Sequence, residues 1–196
     1  MSMDFEACLK VLASHRTDEV VVASMTPIAF WPYLSKSERD LLYTDPMGSV
    51  APTALGIAVG RPEVRVWAFD GDGALLMYLG SLVSIGNAAP KNLVHFLFDN
   101  GMYGLVGLPT PGADRRDFCQ IARGAGIPNV HQFSALEDLD SAMPTIKSAA
   151  GPQFVVLKVT SNISTERGGL HERLNTPECR KRFGRHGVQT LRRIFK

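Results

Sequence analysis

The sequence predicts a doubly wound α/β fold, a mainly parallel sheet flanked by helices. Three observations predict it. Short β-branched and aromatic runs alternate with helix-length stretches; those runs are apolar throughout rather than at every second residue; and no internal repeat or low-complexity linker divides the 196 residues. Continuous apolar runs suit strands covered on both faces, and strands separated by helices pair in parallel through right-handed crossovers.

Taken in order, the amphipathic stretch from Phe5 to Ser14 reads as a helix leading into the buried strand DEVVVASM. LLYTDP (41–46) reads as a short strand ending in a turn, and SVAPTALGIAVG (49–60) as a helix whose small residues let it pack closely on a sheet. EVRVWAF and NLVHFLF are further buried strands, separated by a helix across Leu75 to Asn87. A helix across Arg115 to Ala125, a short strand NVHQF, a helix near 135–149 and the strand QFVVLKVT follow. A single domain over 1–196 is expected, with a basic C-terminal segment from about 167 to 196.

Composition narrows the classes. A hydrophobic content of 45% with 20% charged residues is that of an ordinary soluble globular protein. No apolar run reaches the roughly 18 residues of a membrane span, and the start of the chain is too polar for a signal peptide. Cys8, Cys119 and Cys179 are scattered, with no CxxC pair, which argues against a disulfide framework or a thiolate-bound cluster and for a cytoplasmic protein. Net charge is +2, yet residues from Arg167 onward hold nine Lys/Arg and two Glu. That tail lacks aromatic interleaving, so a solvated helix or subunit contact is expected of it, and nucleic acid is not an expected partner.

Function is expected at two corners. GDG (71–73) and DNGMYG (99–104) each follow a strand, and in such folds ligands sit beyond the carboxyl ends of the strands. Asp72 alone could cap a helix and Asn100 alone could make a turn. As a pair, they offer a carboxylate and an amide oxygen to one cation, with backbone carbonyls in the turn beyond. Mg²⁺ takes six oxygens and often combines few protein ligands with phosphates. Gly71 and Gly73 allow a ligand to approach the backbone closely, and a carboxylate there repels phosphate unless a cation lies between.

The spacing carries a resemblance. GDG, 25 residues (74–98) and then DN is similar to the signature of thiamine diphosphate enzymes, with Asp99 standing where the first of two Asn is usual. DPMGSVAPTALGIAV, DGDGALLM, APKNLVHFLFDNGMYG and GPQFVVLKV resemble the β subunits of sulfopyruvate and phosphonopyruvate decarboxylases over roughly residues 40–160, with a weaker echo at RKRFG. The resemblance implies the diphosphate-binding (PP) fold, thiamine diphosphate and Mg²⁺ as cofactors, and a 2-oxo acid as substrate. By position it implies Asp72, Asn100 and the Met102 carbonyl as metal ligands. Gly73 and Ala74 would offer N–H groups to the diphosphate, and Gly71, Gly48, Tyr103 and Gly104 would line the cofactor. Met47 would support its bent conformation under the thiazolium. The activating glutamate of the family lies in a pyrimidine-binding (PYR) domain, expected on a separate α subunit, in a hetero-oligomer with homodimeric PP contacts. The segment Leu105 to Thr110 is apolar where the resembled decarboxylases are polar, which leaves substrate identity open. A carboligase subunit and a non-catalytic cofactor-binding subunit remain the alternatives, and the missing cysteine clusters count against a ferredoxin-linked oxidoreductase.

The remaining candidates read as structural. Asp70 is expected to support the helix start and His95 to be a satisfied core histidine. His15, His131, His171 and His186 show no metal-ligand spacing. Cys119 is read as packing, and Arg115–Arg116 as a solvated helix start.

Overall fold

The computed structural model describes residues 2–43, 46–104, 106–160, 176–177 and 185–195. One six-stranded parallel sheet organises them. In chain order its strands are β1 (Val20–Ser24), β2 (Asp40–Tyr43), β3 (Val66–Gly71), β4 (Leu93–Asp99), β7 (Asn129–Phe133) and β8 (Gln153–Lys158). They lie side by side as β2-β1-β3-β4-β8-β7, all in parallel pairs. A separate hairpin, β5 (Met102–Tyr103) with β6 (Leu108–Pro109), follows β4. The doubly wound expectation holds.

The uninterrupted apolar runs have the cause expected of them. Along β3, Trp67 and Phe69 face one side while Val66 and Ala68 face the other, and all four are buried. The aromatic side, with Trp31, Phe69, Phe96 and Phe98, is covered by α1 (Phe5–His15) and α7 (Leu136–Ser148). Asp4 caps α1 by accepting a 2.7 Å bond from the Ala7 N–H. The opposite side is covered by α3 (Val50–Gly60), α5 (Ser81–Ala88) and α6 (Phe118–Gly124). Ala51, Ala54 and Ala58 line the buried face of α3, and their small size seats that helix directly on β3. At Gly86 an added Cβ would fall 2.0 Å from the Ala125 carbonyl oxygen, so α5 and the end of α6 touch through backbone.

Two helices differ from expectation. The stretch Leu75–Asn87 is broken. A short helix α4 (Asp72–Met77) ends as Tyr78 leaves helical geometry (φ −139°, ψ 44°), and α5 begins after Gly80. Gly80 is a weak helix former at the break, and the buried turn at Gly48 presses against Tyr78 Cβ. Met77, Tyr78 and Val83 are left exposed. The helix expected from Arg115 begins instead at Phe118, because the Asp117 carboxylate caps it through the Gln120 N–H at 3.0 Å. Two short helical turns, Thr26–Ala29 and α2 (Trp31–Leu34), fill a stretch for which the periodicity predicted nothing.

Much of the basic C-terminal segment lies outside the described residues, as do Cys179 and the RKRFG echo. Within it, α8 (Arg185–Ile194) lies beside β2, with Thr190 and Ile194 buried and Arg193 paired to Glu38 at 2.8 Å. Among the described residues no helix is long and apolar enough to cross a membrane.

Candidate functional site

The register of β3 and β4 puts Gly71 opposite Phe98, so both corners open at the same edge and Asp72 continues to the level of Asp99. Asp72 is the first residue of α4 and only 2% exposed. Its Oδ2 accepts from Thr110 Oγ1 at 2.8 Å and from Arg116 Nη2 at 2.5 Å. Burial pushes its carboxyl above the usual range. The Thr110 bond, Arg116 and the Gly73 N–H pull the other way, and Asp99 pushes it further up. A buried carboxylate made costly to ionise, at a strand end, is the kind of group a cation neutralises.

Asn100 sits in the turn after β4, half-buried, and its Oδ1 accepts from the Met102 N–H at 2.8 Å. Gly101 takes φ +71°, a left-handed conformation natural to glycine, and so reverses the chain into the hairpin. The carbonyl of Met102 fits the ligand role expected of it for a simple reason. Met102 and Pro109 form a non-hydrogen-bonded pair of the antiparallel hairpin, so the Met102 carbonyl points away from the ladder and is not claimed by it. The neighbouring bond, Thr110 N–H to Gly101 O at 2.8 Å, fixes the hairpin against the corner.

The glycines show close packing. A Cβ on Gly73 would lie 2.6 Å from two ring carbons of Tyr103 and 3.2 Å from Thr110 Cγ2, so Tyr103 lies across the start of α4. A Cβ on Gly48 (φ +82°) would lie 2.8 Å from Tyr78 Cβ and 3.1 Å from the Ala74 carbonyl oxygen. The Met47–Gly48 turn therefore abuts the same short helix, with Met47 half-buried and Ala74 buried. Gly71 has open space around it, and Gly104 follows Tyr103 in the hairpin turn. Asp72, Gly73, Ala74, Tyr103 and the Met47–Gly48 turn thus gather round α4, with Asn100 and Met102 at the neighbouring corner.

Among the described residues no three His, Cys, Asp or Glu side chains converge as a metal cage. The expected ligand set needs none, since it draws on one carboxylate, one amide and one carbonyl. On these observations the donors fit a hard cation that also takes phosphate oxygens.

Two readings are corrected. Arg116 is no solvated helix start. Its side chain is 8% exposed and reaches both Asp72 and, at 3.0 Å, Asp99 Oδ1. Arg115, by contrast, is exposed as expected. His95 is core but not satisfied. It stands 3.4 Å from Asp70, itself fully buried, and neither side chain has a hydrogen-bond partner among the described residues. Sequence reasoning also missed Thr110 and Lys158, whose ammonium pairs with Asp99 Oδ2. Lys158 lies far along the chain from both corners, whereas Thr110 and Arg116 follow the second corner and reach back to Asp72, 38 and 44 positions away. The pair of arginines after a Pro-Gly turn signalled a cation without signalling its target.

Residues 30–159, more than half of the chain, match the family described as thiamine pyrophosphate enzyme, C-terminal TPP binding domain. The chain belongs to that family. It is 34% identical over 155 residues to a phosphonopyruvate decarboxylase of Streptomyces viridochromogenes, covering 78% of this chain and 39% of that protein. It is 30% identical over 151 residues to the sulfopyruvate decarboxylase subunit beta of Methanococcus maripaludis, covering 76% of this chain and 80% of that subunit. In fold it is similar to a thiamin diphosphate-dependent enzyme of Mycobacterium smegmatis, with a TM-score of 0.68 at 23% identity over 81% of this chain and 32% of that one. The chain thus spans about two fifths of the Streptomyces relative and most of the Methanococcus subunit.

Proposed function

We propose that this chain, as one PP domain across 1–196, is the diphosphate- and Mg²⁺-binding subunit of a two-chain, thiamine diphosphate-dependent 2-oxo acid decarboxylase. The observation that carries the reading is the pairing at one sheet edge of buried Asp72 with Asn100 and the unclaimed Met102 carbonyl. Asp72, Asn100 and Met102 would hold the Mg²⁺, while Gly73 and Ala74 would meet the diphosphate through backbone N–H groups. Gly71, Tyr103 and Gly104 would line the cofactor, and Met47 with Gly48 would support its bend from the turn abutting α4. When bound, thiamine diphosphate supplies the electron sink that lets carbon dioxide leave a 2-oxo acid. The protein's part is positioning, charge neutralisation and exclusion of water.

The rest of the catalyst is assigned to a separate PYR-domain α subunit that carries the activating glutamate. Two facts support that division: relatives of similar length are named as β subunits, and the chain spans only 39% of a relative named without a subunit. The exposed Met77, Tyr78 and Val83 beside the site give apolar surface for subunit contact, including contact between PP domains. The setting is proposed to be the cytoplasm, where the free thiols of Cys8 and Cys119 stay reduced. A carboligase subunit is the second reading, favoured by the exposed apolar Val106 and Leu108 on the hairpin.

The test is turnover across a panel of 2-oxo acids, with carbon dioxide and aldehyde both measured. The purified chain with thiamine diphosphate and Mg²⁺ should be inactive, and a PYR-domain chain should restore activity at a saturating ratio near one to one. Robust turnover by the single chain would overturn the two-chain reading. Condensation product in place of aldehyde would favour the carboligase.

A further inference from the structure

The metal corner already contains a cation. Arg116 Nη2 lies 2.5 Å from Asp72 Oδ2 and 3.0 Å from Asp99 Oδ1, so one nitrogen bridges the carboxylates that end two adjacent strands. Asp99 has a second partner in Lys158, whereas among the described residues Arg116 is the charged partner of Asp72. The guanidinium is held from its other sides by Phe118, whose ring centroid is 4.8 Å from its central carbon, and by the Pro111 carbonyl, which accepts from Nη1 at 2.9 Å. Gly112, at φ +67°, turns the segment so that the Arg115 and Arg116 N–H groups donate to its carbonyl at 3.0 and 2.8 Å. The segment 110–117 is thereby tied across the corner through Thr110 and Arg116, both on the same Asp72 oxygen.

A divalent ion that takes Asp72 as a ligand arrives next to this guanidinium. In a water-poor site two cations on one carboxylate repel strongly, which favours withdrawal of the one that has a second anion within reach. Asp99 gives Arg116 a place to withdraw to, because it keeps an anionic partner after leaving Asp72.

We propose that Arg116 is the resident counter-charge of the metal position. It neutralises Asp72 while no metal is bound and shifts to Asp99 alone when a divalent cation enters, so metal loading loosens the segment 111–117. Arg116 is then a positioning residue that sets cation affinity and couples it to the loop. The inference rests on the assignment of Asp72 as a metal ligand, and its test separates the two.

Mn²⁺ binding to the full chain is followed by electron paramagnetic resonance for the unaltered protein, Arg116→Gln and Asp72→Asn. Hydrogen exchange of 110–118 is measured on the unaltered protein with and without Mg²⁺. Arg116→Gln removes the competing charge and should tighten Mn²⁺ by about tenfold, while lowering the melting temperature of the metal-free chain. In the unaltered protein Mg²⁺ should speed exchange at 111–117 and leave α5 unchanged; that measurement decides the matter if Arg116→Gln does not fold. Binding lost in Asp72→Asn but not tightened in Arg116→Gln, or exchange unaltered by Mg²⁺, overturns the role of Arg116 and leaves the metal assignment standing. Binding that survives Asp72→Asn, or is absent from every chain, overturns the metal assignment and this inference with it.

Discussion

Asp72 and Glu19 are both 2% exposed carboxylates at strand ends, and the protein treats them in opposite ways. Glu19 precedes β1 at the amino-terminal edge of the sheet. Burial pushes its carboxyl up, but hydrogen bonds from the Thr17 N–H, at 2.7 Å, and from Lys147, at 3.1 Å, outweigh burial and hold it below the ordinary range. Asp72, at the carboxyl edge, has more protein packed around it, and its partners leave it above that range. The partners of Glu19 outweigh the cost of burial; those of Asp72, Arg116 included, do not. A raised carboxyl of this kind at a strand end is what the proposed metal role of Asp72 rests on, and Glu19 shows the structural alternative.

The comparison can be broken in three places. The largest effect belongs to Asp72→Ala, which should lower Mg²⁺-dependent thiamine diphosphate affinity by more than about a hundredfold, since even loss of an indirect metal partner costs about 10–100-fold. Calorimetry on the folded complex measures it, and an unchanged affinity would mean that Asp72 is another Glu19. Next comes Lys147→Met, expected to cost about 2 kcal/mol of stability, because it strands Glu19 without its cation. Its pH dependence follows from the sign of the shift. A depressed carboxyl stabilises the fold above its unfolded value near 4.5, and that contribution is lost as pH falls through the folded value. The acid unfolding transition of Lys147→Met should therefore begin at higher pH than that of the parent, as read by circular dichroism. Asp72 has the reverse sign, so its own contribution to stability weakens as pH rises from its ordinary 3.8. The smallest effect is Asn100→Ala. Losing the neutral amide proposed as a ligand should lower Mg²⁺-dependent cofactor affinity by about tenfold, less than Asp72→Ala, with little change in melting temperature. A loss equal to that of Asp72→Ala would show that the charge of Asp72 is not what distinguishes it.

The parts of this site that were legible in the sequence are those encoded locally. Gly71-Asp72-Gly73 and Asn100-Gly101 sit at the ends of apolar runs, and a run long enough to read as a buried strand also fixes where its carboxyl end lies. The break at Tyr78–Gly80 was hidden because apolar residues continue through it, and the tertiary contact from Gly48 helps end the helix. Thr110, Arg116 and Lys158 were hidden for a different reason. Their partners are 38, 44 and 59 positions away, and only the folded sheet brings them together. Asp70 and His95 face each other on paired strands, Asp70 opposite Leu97 and Ala68 opposite His95, a diagonal relation that no single-strand pattern contains.

The strand order also governs how the chain can be assembled on the ribosome. Among the described residues β8 is the last strand made, yet it lies between β4 and β7. Until it emerges, β2, β1, β3 and β4 can pair in a growing sheet, but β7 has no neighbour to bond and waits as an unpaired ribbon. Lys158, the counter-charge of Asp99, arrives with the final residue of that strand. A chain that lacks β8 therefore leaves the facing edges of β4 and β7 unpaired and Asp99 without Lys158. The sheet of the described residues is completed only by insertion of this late-made strand between two earlier ones.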